Sequence, residues 1–188
     1  WVNGAGDLAL SHWSGVFSDS DRDGIHNFSG PDEVNGLTTT GTGPVTVTMN
    51  WNDSWGTAEN DYDLLIYEYE SGVFVAGSQR EQDGDEGPWE KVTFPPAVGK
   101  NYGVVINRYR GGAATLHVSV LTGQGLKHAL SSSSLPVPGD NPAALTTGAV
   151  SWNSPDELEA TSSRGPAING AVKPDLVGPA GVSTVSYG

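Results

Sequence analysis

Short segments in which apolar and polar residues alternate dominate the middle of this sequence. The clearest is Val45–Trp51 (VTVTMNW), where Val45, Val47, Met49 and Trp51 occupy one set of alternate positions and Thr or Asn occupies the other. A period of two residues is that of a β-strand with one buried face. Similar segments follow at residues 62–69, 73–77, 90–94, 102–109, 114–121 and 143–152.

Turn-forming residues separate these segments, and the chain is rich in them. Its 188 residues include 26 Gly and 12 Pro, with 6 Trp and 6 Tyr, a mixture that favours strands, turns and long loops over helices. Many short strands at close spacing predict a mainly β fold, an antiparallel β-sandwich of the jelly-roll kind. Residues 153–188 show almost no periodicity, so we expect them to form a poor core alone.

The charge balance excludes some functions. The chain carries 22 acidic and 9 basic residues, a formal charge of −13, so it would repel a nucleic-acid backbone. An acidic surface suits cation binding, although it equally serves solubility. The absence of cysteine excludes disulfides, thiolate zinc sites and a cysteine nucleophile. No apolar run is long enough to span a bilayer.

One acidic stretch predicts a calcium site. In residues 17–28 (FSDSDRDGIHNF), Asp19, Asp21 and Asp23 alternate and Gly24 follows. Alternate carboxylates in a loop can converge on one hard cation, and glycine permits the sharp turn that brings in the next carbonyl, that of Ile25. An EF-hand would have Glu where Gly30 stands, so this is a different type of Ca²⁺ loop. Further oxygen ligands are expected from Asn27, Asp32 or Glu33.

Two other acidic groups are weaker candidates. Asp61 and Asp63, at the start of a predicted strand, could bind another cation, but capping of turns is the favoured interpretation. Residues 81–87 (EQDGDEG) are predicted to form a solvated hairpin tip.

Segments near both ends of the sequence resemble subtilisin-like serine peptidases. Residues 161–186 (TSSRGPAINGAVKPDLVGPAGVSTVS) are similar to the family pattern F-S-S-x-G-P followed by K-P-D-L/V-x-A-P-G-x-x-I. Residues 136–152 resemble the family's strand after the oxyanion residue, and residues 2–9 (VNGAGDLA) its V-x-A-A-G-N turn. Residues 11–125 lack a counterpart in the minimal peptidase. They resemble pre-peptidase C-terminal domains, which carry a D-x-D-L pattern like that at Asp61.

The resemblance implies a domain organisation. Residues 1–10 would be a peptidase-core segment with the oxyanion turn, residues 11–126 an inserted calcium-binding β-sandwich, and residues 127–188 a core segment that precedes the catalytic serine. The fold would then be a jelly-roll-like sandwich flanked by pieces of a subtilisin-like α/β core. The parent would be a secreted or cell-surface endopeptidase of a bacterium or archaeon, with a polypeptide substrate and the rest of the peptidase domain as partners.

The resemblance also implies what this chain lacks. None of the family's Asp, His and Ser triad matches a residue here, so we expect an internal fragment that is inactive alone. Asp7 stands where the family has an oxyanion-hole Asn, yet an ionised Asp only accepts hydrogen bonds. It is therefore either an oxyanion-hole candidate or an acidic turn residue. The matching residues with a framework role are Arg164, Pro166, Lys173, Pro174 and Asp175.

A second hypothesis is a stand-alone calcium-dependent module that binds carbohydrate or protein. It requires Trp51, Trp55 and Trp89 to be exposed as a stacking platform, whereas burial in a core is the commoner fate of such residues.

Overall fold

The computed structural model describes residues 1–39, 41, 43–122 and 125–182. These residues form twelve β-strands, and none of them lies in a helix. The chain divides into two compact units: Ser11–Ala129, and Trp1–Leu10 together with the chain from Leu130 onward. Nothing in the described residues forms a helix that could span a membrane.

The unit formed by Ser11–Ala129 is a sandwich of two antiparallel four-stranded sheets. One sheet has the strand order β2-β9-β4-β7 and the other β3-β8-β5-β6. The chain passes from one sheet to the other at every connection except the β5–β6 hairpin, which is the strand order of a jelly roll. The strands are β2 (His12–Val16), β3 (Asn35–Leu37), β4 (Val45–Trp51), β5 (Asp61–Glu68), β6 (Phe74–Ser78), β7 (Trp89–Phe94), β8 (Tyr102–Arg110) and β9 (Thr115–Val120).

The core of this unit lies between the two sheets. Along β4 the predicted alternation is confirmed, because Val45, Val47, Met49 and Trp51 are buried and the residues between them are less so. Partners from the facing sheet include Leu64 and Ile66 of β5 and Val104 and Ile106 of β8. Each such large apolar side chain contributes about 1.5–3 kcal/mol when fully buried.

The other unit is a small sheet built around β10 (Leu145–Ser151). β1 (Val2–Gly4) and β12 (Leu176–Ala180) pair with β10 in parallel, and β11 (Ser154–Leu158) forms an antiparallel hairpin with it. Parallel pairing is the pattern of α/β sheets. A small cluster of Ala5, Leu135 and Ala167 forms the core of this unit.

The predicted mainly β sandwich is confirmed, and each predicted strand is present with small differences at its ends. Alternation of apolar and polar residues did not predict β1, β2, β3, β11 or β12. β3 has only three residues, and β12 contains Gly178 and Pro179, which weaken any strand pattern. The predicted segment boundaries after residues 10 and 126 and their family assignments stay predictions, and residues 183–188 of the last segment lie outside the described residues.

Candidate metal site

The acidic loop, residues 18–27, connects β2 to the region before β3 and is closed at its base by hydrogen bonds. The Asn27 amide donates to the Ser18 carbonyl at 2.7 Å, and the Ser18 amide donates to Nδ1 of His26 at 3.0 Å. The Ser20 amide donates to Oδ1 of Asn27 at 2.7 Å. His26 is buried, with ring centroids of Trp13 and Phe28 at 4.8 and 4.7 Å. The loop is thus anchored in the sandwich core.

Within the loop, the predicted carboxylates meet. Ligand oxygens of Asp19, Asp21 and Asp23 lie within 4.8 Å of one another. The Asp19 carboxylate accepts hydrogen bonds from the amides of Arg22, Asp23 and Gly24 at 2.7, 3.2 and 3.2 Å, which curls the backbone around it. Gly24 has φ of 91°, so the predicted use of glycine at a sharp turn is confirmed.

A fourth carboxylate, that of Glu33, interacts with this group. Burial raises its pKa, and the negative charges of Asp23, Asp21 and Asp19 raise it further. The Asn27 side-chain amide donates to Oε1 of Glu33 at 3.3 Å and holds it beside the loop. Arg108 of β8 donates to Asp19 at 3.3 Å. Four carboxylates beside one guanidinium leave a negative field that favours a divalent cation.

The remaining predicted ligands have other surroundings. The Ile25 amide donates to Oδ1 of Asp23 at 2.8 Å, so the backbone at Ile25 is held against the loop carboxylates. Asp32 is not with the loop carboxylates: its Oδ2 lies 2.6 Å from Nζ of Lys127 and 2.8 Å from Nε2 of His128. The hydrogen bond from Lys127 is the main reason that the pKa of Asp32 is lowered to about 2.

The donor set fits calcium. Ca²⁺ takes six to eight oxygen ligands in flexible geometry, and the loop offers three gathered carboxylates with the Glu33 carboxylate close by. The alternating aspartates were recognisable in the sequence. Arg108 and Asn107, which support the loop from β8, had no sequence signal because they are distant along the chain.

The second acidic pair is buried at the start of β5. Asp61 and Asp63 are both buried, and Asp63 accepts a hydrogen bond from Nδ2 of Asn107 at 2.8 Å.

The predicted solvated hairpin tip at residues 81–87 is wrong, because β6 and β7 lie in different sheets and the segment between them contains the buried Gln82. That side chain is fully buried and donates to Oε1 of Glu90 at 2.9 Å.

Asp7 lies in the turn after β1 and is exposed. The turn around it is firmly held: the Leu8 amide donates to Oγ of Ser163, and the Ser163 amide donates to the Gly6 carbonyl, both at 2.9 Å. Gly6 has φ of 88° and packs against Pro136. A Cβ atom added at Gly6 would lie 2.8 Å from Cγ of Pro136, so a larger residue does not fit at this position. The oxyanion role of Asp7 stays a prediction.

The hypothesis of an exposed tryptophan stacking platform is wrong for Trp51. Trp51 is only 2% exposed and packs edge-to-face against Tyr62 in the core. Trp55 is exposed. The guanidinium of Arg80 stacks over the ring of Trp89, with Cζ 4.3 Å from the ring centroid. The three residues therefore do not form one exposed surface.

No protein-family model matches the sequence, and no curated protein matches it either. Among solved structures, the Clostridium perfringens CspB protease is similar with a TM-score of 0.62 and 13% identity, over 95% of this chain and 40% of that chain. A pre-peptidase C-terminal domain of collagenase from Bacillus anthracis gives a TM-score of 0.40 at 14% identity, over 63% of this chain and 91% of that one. The Yersinia pseudotuberculosis-derived mitogen gives a TM-score of 0.35 at 9% identity, over 60% of this chain and 85% of that chain.

The strand pairings define the fold class: one unit is a jelly-roll sandwich and the other a small, largely parallel sheet. That fold is shared with part of the CspB protease, and this chain spans 40% of the length of that protein.

Proposed function

We propose that this chain is part of a secreted subtilisin-like serine endopeptidase, in which a calcium-stabilised jelly-roll sandwich is inserted into the peptidase domain. The insertion is supported by the order of the units, because Trp1–Leu10 belongs with the chain after Leu130 and Ser11–Ala129 is compact by itself. A domain inserted between two strands of a host leaves those strands paired. β1 and β10 are such a pair, in parallel register from Val2 opposite Leu145.

One observation carries the peptidase assignment. The three sequence segments that resemble the family contain β1, β10 and β12, and these strands are neighbours in one sheet. Segments far apart along the chain would have no reason to pair in this way if each resemblance were accidental. The shared fold with part of a protease agrees with this interpretation.

The catalytic chemistry would reside in the rest of the peptidase domain. Acyl transfer by this family needs a serine nucleophile, a histidine base and an orienting carboxylate. Two of the four histidines here have structural partners: His26 packs in the core, and His128 pairs with Asp32. This chain would supply framework strands, the turn that carries Asp7, and the insertion. Its partners would be the remaining peptidase domain and, through it, a polypeptide substrate.

Calcium would stabilise the insertion through the acidic loop. Asp19, Asp21, Asp23 and Glu33 would hold the ion together with the Ile25 carbonyl. The ion would offset the mutual repulsion of these carboxylates, which otherwise opposes the curled loop.

A fluorophosphonate probe, which labels activated serine nucleophiles, tests the assignment. We expect labelling of the full-length parent protein at a serine outside this chain, and no labelling of the chain expressed alone. A parent variant with that labelled serine replaced by alanine is the control. Absence of labelling in a folded parent, or labelling of a serine within residues 1–188, would contradict the proposal.

A further inference from the structure

A second acidic cavity lies where β5 begins and β6 and β8 end. It has a volume of about 240 Å³ and is open to solvent. Three carboxylates and two neutral oxygen-bearing side chains form its wall, those of Asp61, Asp63, Glu81, Gln79 and Tyr109. Carboxylate, amide and hydroxyl oxygens are the ligands that hard divalent cations select.

Asp61 is the residue that points to a ligand. Its side chain is only 2% exposed, and among the described residues its Oδ1 has no hydrogen-bond partner. A buried carboxylate oxygen without a partner carries the full cost of its lost hydration.

The cations nearby do not balance this group. Nη1 of Arg110 lies 3.8 Å from Oε1 of Glu81, and Nη2 of Arg110 donates a hydrogen bond to the Gln82 carbonyl. Asp63 is held by neutral amides, with Nδ2 of Asn107 at 2.8 Å and Nε2 of Gln79 at 3.5 Å. Three carboxylates therefore line the cavity beside one guanidinium, and that of Asp63 is held in place by Asn107 and Gln79.

We propose that this cavity is a second divalent-cation site of the calcium class, with Asp61, Asp63 and Glu81 as carboxylate ligands. Gln79 and Tyr109 offer further oxygens, and the open side leaves room for bound water. This site is separate from the acidic loop and does not depend on the peptidase assignment. Asn107 lies beside both: it pairs with Ile25 of the loop and donates to Asp63 of the cavity.

Calorimetric titration of the chelator-treated full chain with Ca²⁺ tests the proposal. The double variant Asp21→Asn/Asp23→Asn removes two loop carboxylates and should retain binding at the cavity. In that background, Glu81→Gln and Asp61→Asn should each weaken Ca²⁺ binding by about tenfold or more. The Glu81 side chain is 67% exposed, so its replacement should not disturb folding and keeps the test valid if Asp61→Asn destabilises the chain.

Asp83→Asn is the matched control, because Asp83 is an exposed acid of the same connection that does not line this cavity. It should change affinity by less than about twofold, since an exposed charge at a distance is screened. Tb³⁺, a luminescent substitute for Ca²⁺, gives a second measurement: emission sensitised by tyrosine should fall in Tyr109→Phe. Equal Ca²⁺ affinity in Asp61→Asn, Glu81→Gln and Asp83→Asn would overturn the cavity site. Unchanged Ca²⁺ binding in the loop variant would instead contradict the loop site alone.

Discussion

At the scale of single residues, His26 connects the acidic loop to the core. Its Nδ1 accepts the Ser18 amide, so the imidazole is neutral and acts as an acceptor. Its ring packs among Trp13, Phe17 and Phe28. Burial lowers its pKa to about 4. The same residue therefore determines both core packing and loop closure.

This arrangement predicts a pH dependence of stability. Between the ordinary histidine pKa of 6.5 and about 4, the unfolded chain binds a proton at His26 and the folded chain does not. The free energy of unfolding should therefore fall as the pH is lowered through that window, by up to about 3 kcal/mol for one histidine. His117, whose pKa burial also lowers to about 4, should add to the effect.

The contribution of His26 can be isolated by substitution. His26→Gln keeps a side-chain acceptor but cannot titrate, so urea unfolding of this variant should depend less on pH between 6.5 and 4. His128→Gln is a control of the same kind at a histidine outside the core. An equal pH dependence in the wild type and His26→Gln would contradict this account.

Sequence alone could predict part of the site at this scale. Asp19, Asp21 and Asp23 are close along the chain, so local geometry suffices to bring them together. Arg108 and Asn107 reach the loop from β8, and only the antiparallel pairing of distant strands determines that position. The separation of Asp32 from the loop is likewise tertiary, because Lys127 and His128 draw its carboxylate away.

At the scale of elements, alternation predicted the strands whose two faces differ in environment. β4 and β9 could be recognised in the sequence because each strand has one face in the core, so apolar and polar residues alternate along it. β12 was not, since its residues Leu176–Ala180 are mostly exposed and include Gly and Pro. It is held instead by polar contacts at its start. The Asp175 amide donates to the Thr146 carbonyl at 2.8 Å, and the Thr146 amide donates to Oδ2 of Asp175 at 2.7 Å.

Lys173 contributes to this attachment, in addition to the backbone pairing of β12 with β10. Its side chain is buried, with Nζ 2.7 Å from Asp175 and hydrogen-bonded to the Ala144 carbonyl. Its contact with Asp175 lowers the pKa of that carboxyl. Lys173→Met removes the ammonium and leaves the Ala144 carbonyl without this donor, so it should destabilise the unit that contains β10 and β12 by about 1–3 kcal/mol.

Amide hydrogen exchange localises this effect. Exchange should accelerate in β12 and at Thr146 in Lys173→Met, while β4 and β9 of the sandwich retain their protection. Lys91→Met is the matched control, because Lys91 is an exposed lysine on β7. Equal exchange in β12 for both variants would show that the ion pair does not hold the strand.

At the scale of the whole molecule, the two units gain stability in different ways. The sandwich has an extended apolar core between its sheets, whereas the described part of the smaller unit buries only a small apolar cluster. The sandwich also contains the acidic loop, where carboxylates repel one another unless a cation is present. Ca²⁺ should therefore stabilise the sandwich unit specifically.

Removal of Ca²⁺ with EDTA tests this expectation. A ligand that binds only the folded state adds RT ln(1 + [L]/Kd), about 2.7 kcal/mol at a hundred times Kd, so the melting temperature should fall on chelation. Hydrogen exchange should accelerate most at the amides of Arg22, Asp23 and Gly24, which donate to Asp19. Exchange in β12 should not change.

In Asp21→Asn/Asp23→Asn, chelation should affect the loop amides much less, because the variant loop binds Ca²⁺ weakly. A melting temperature that is insensitive to EDTA in the wild type would contradict calcium stabilisation of the sandwich.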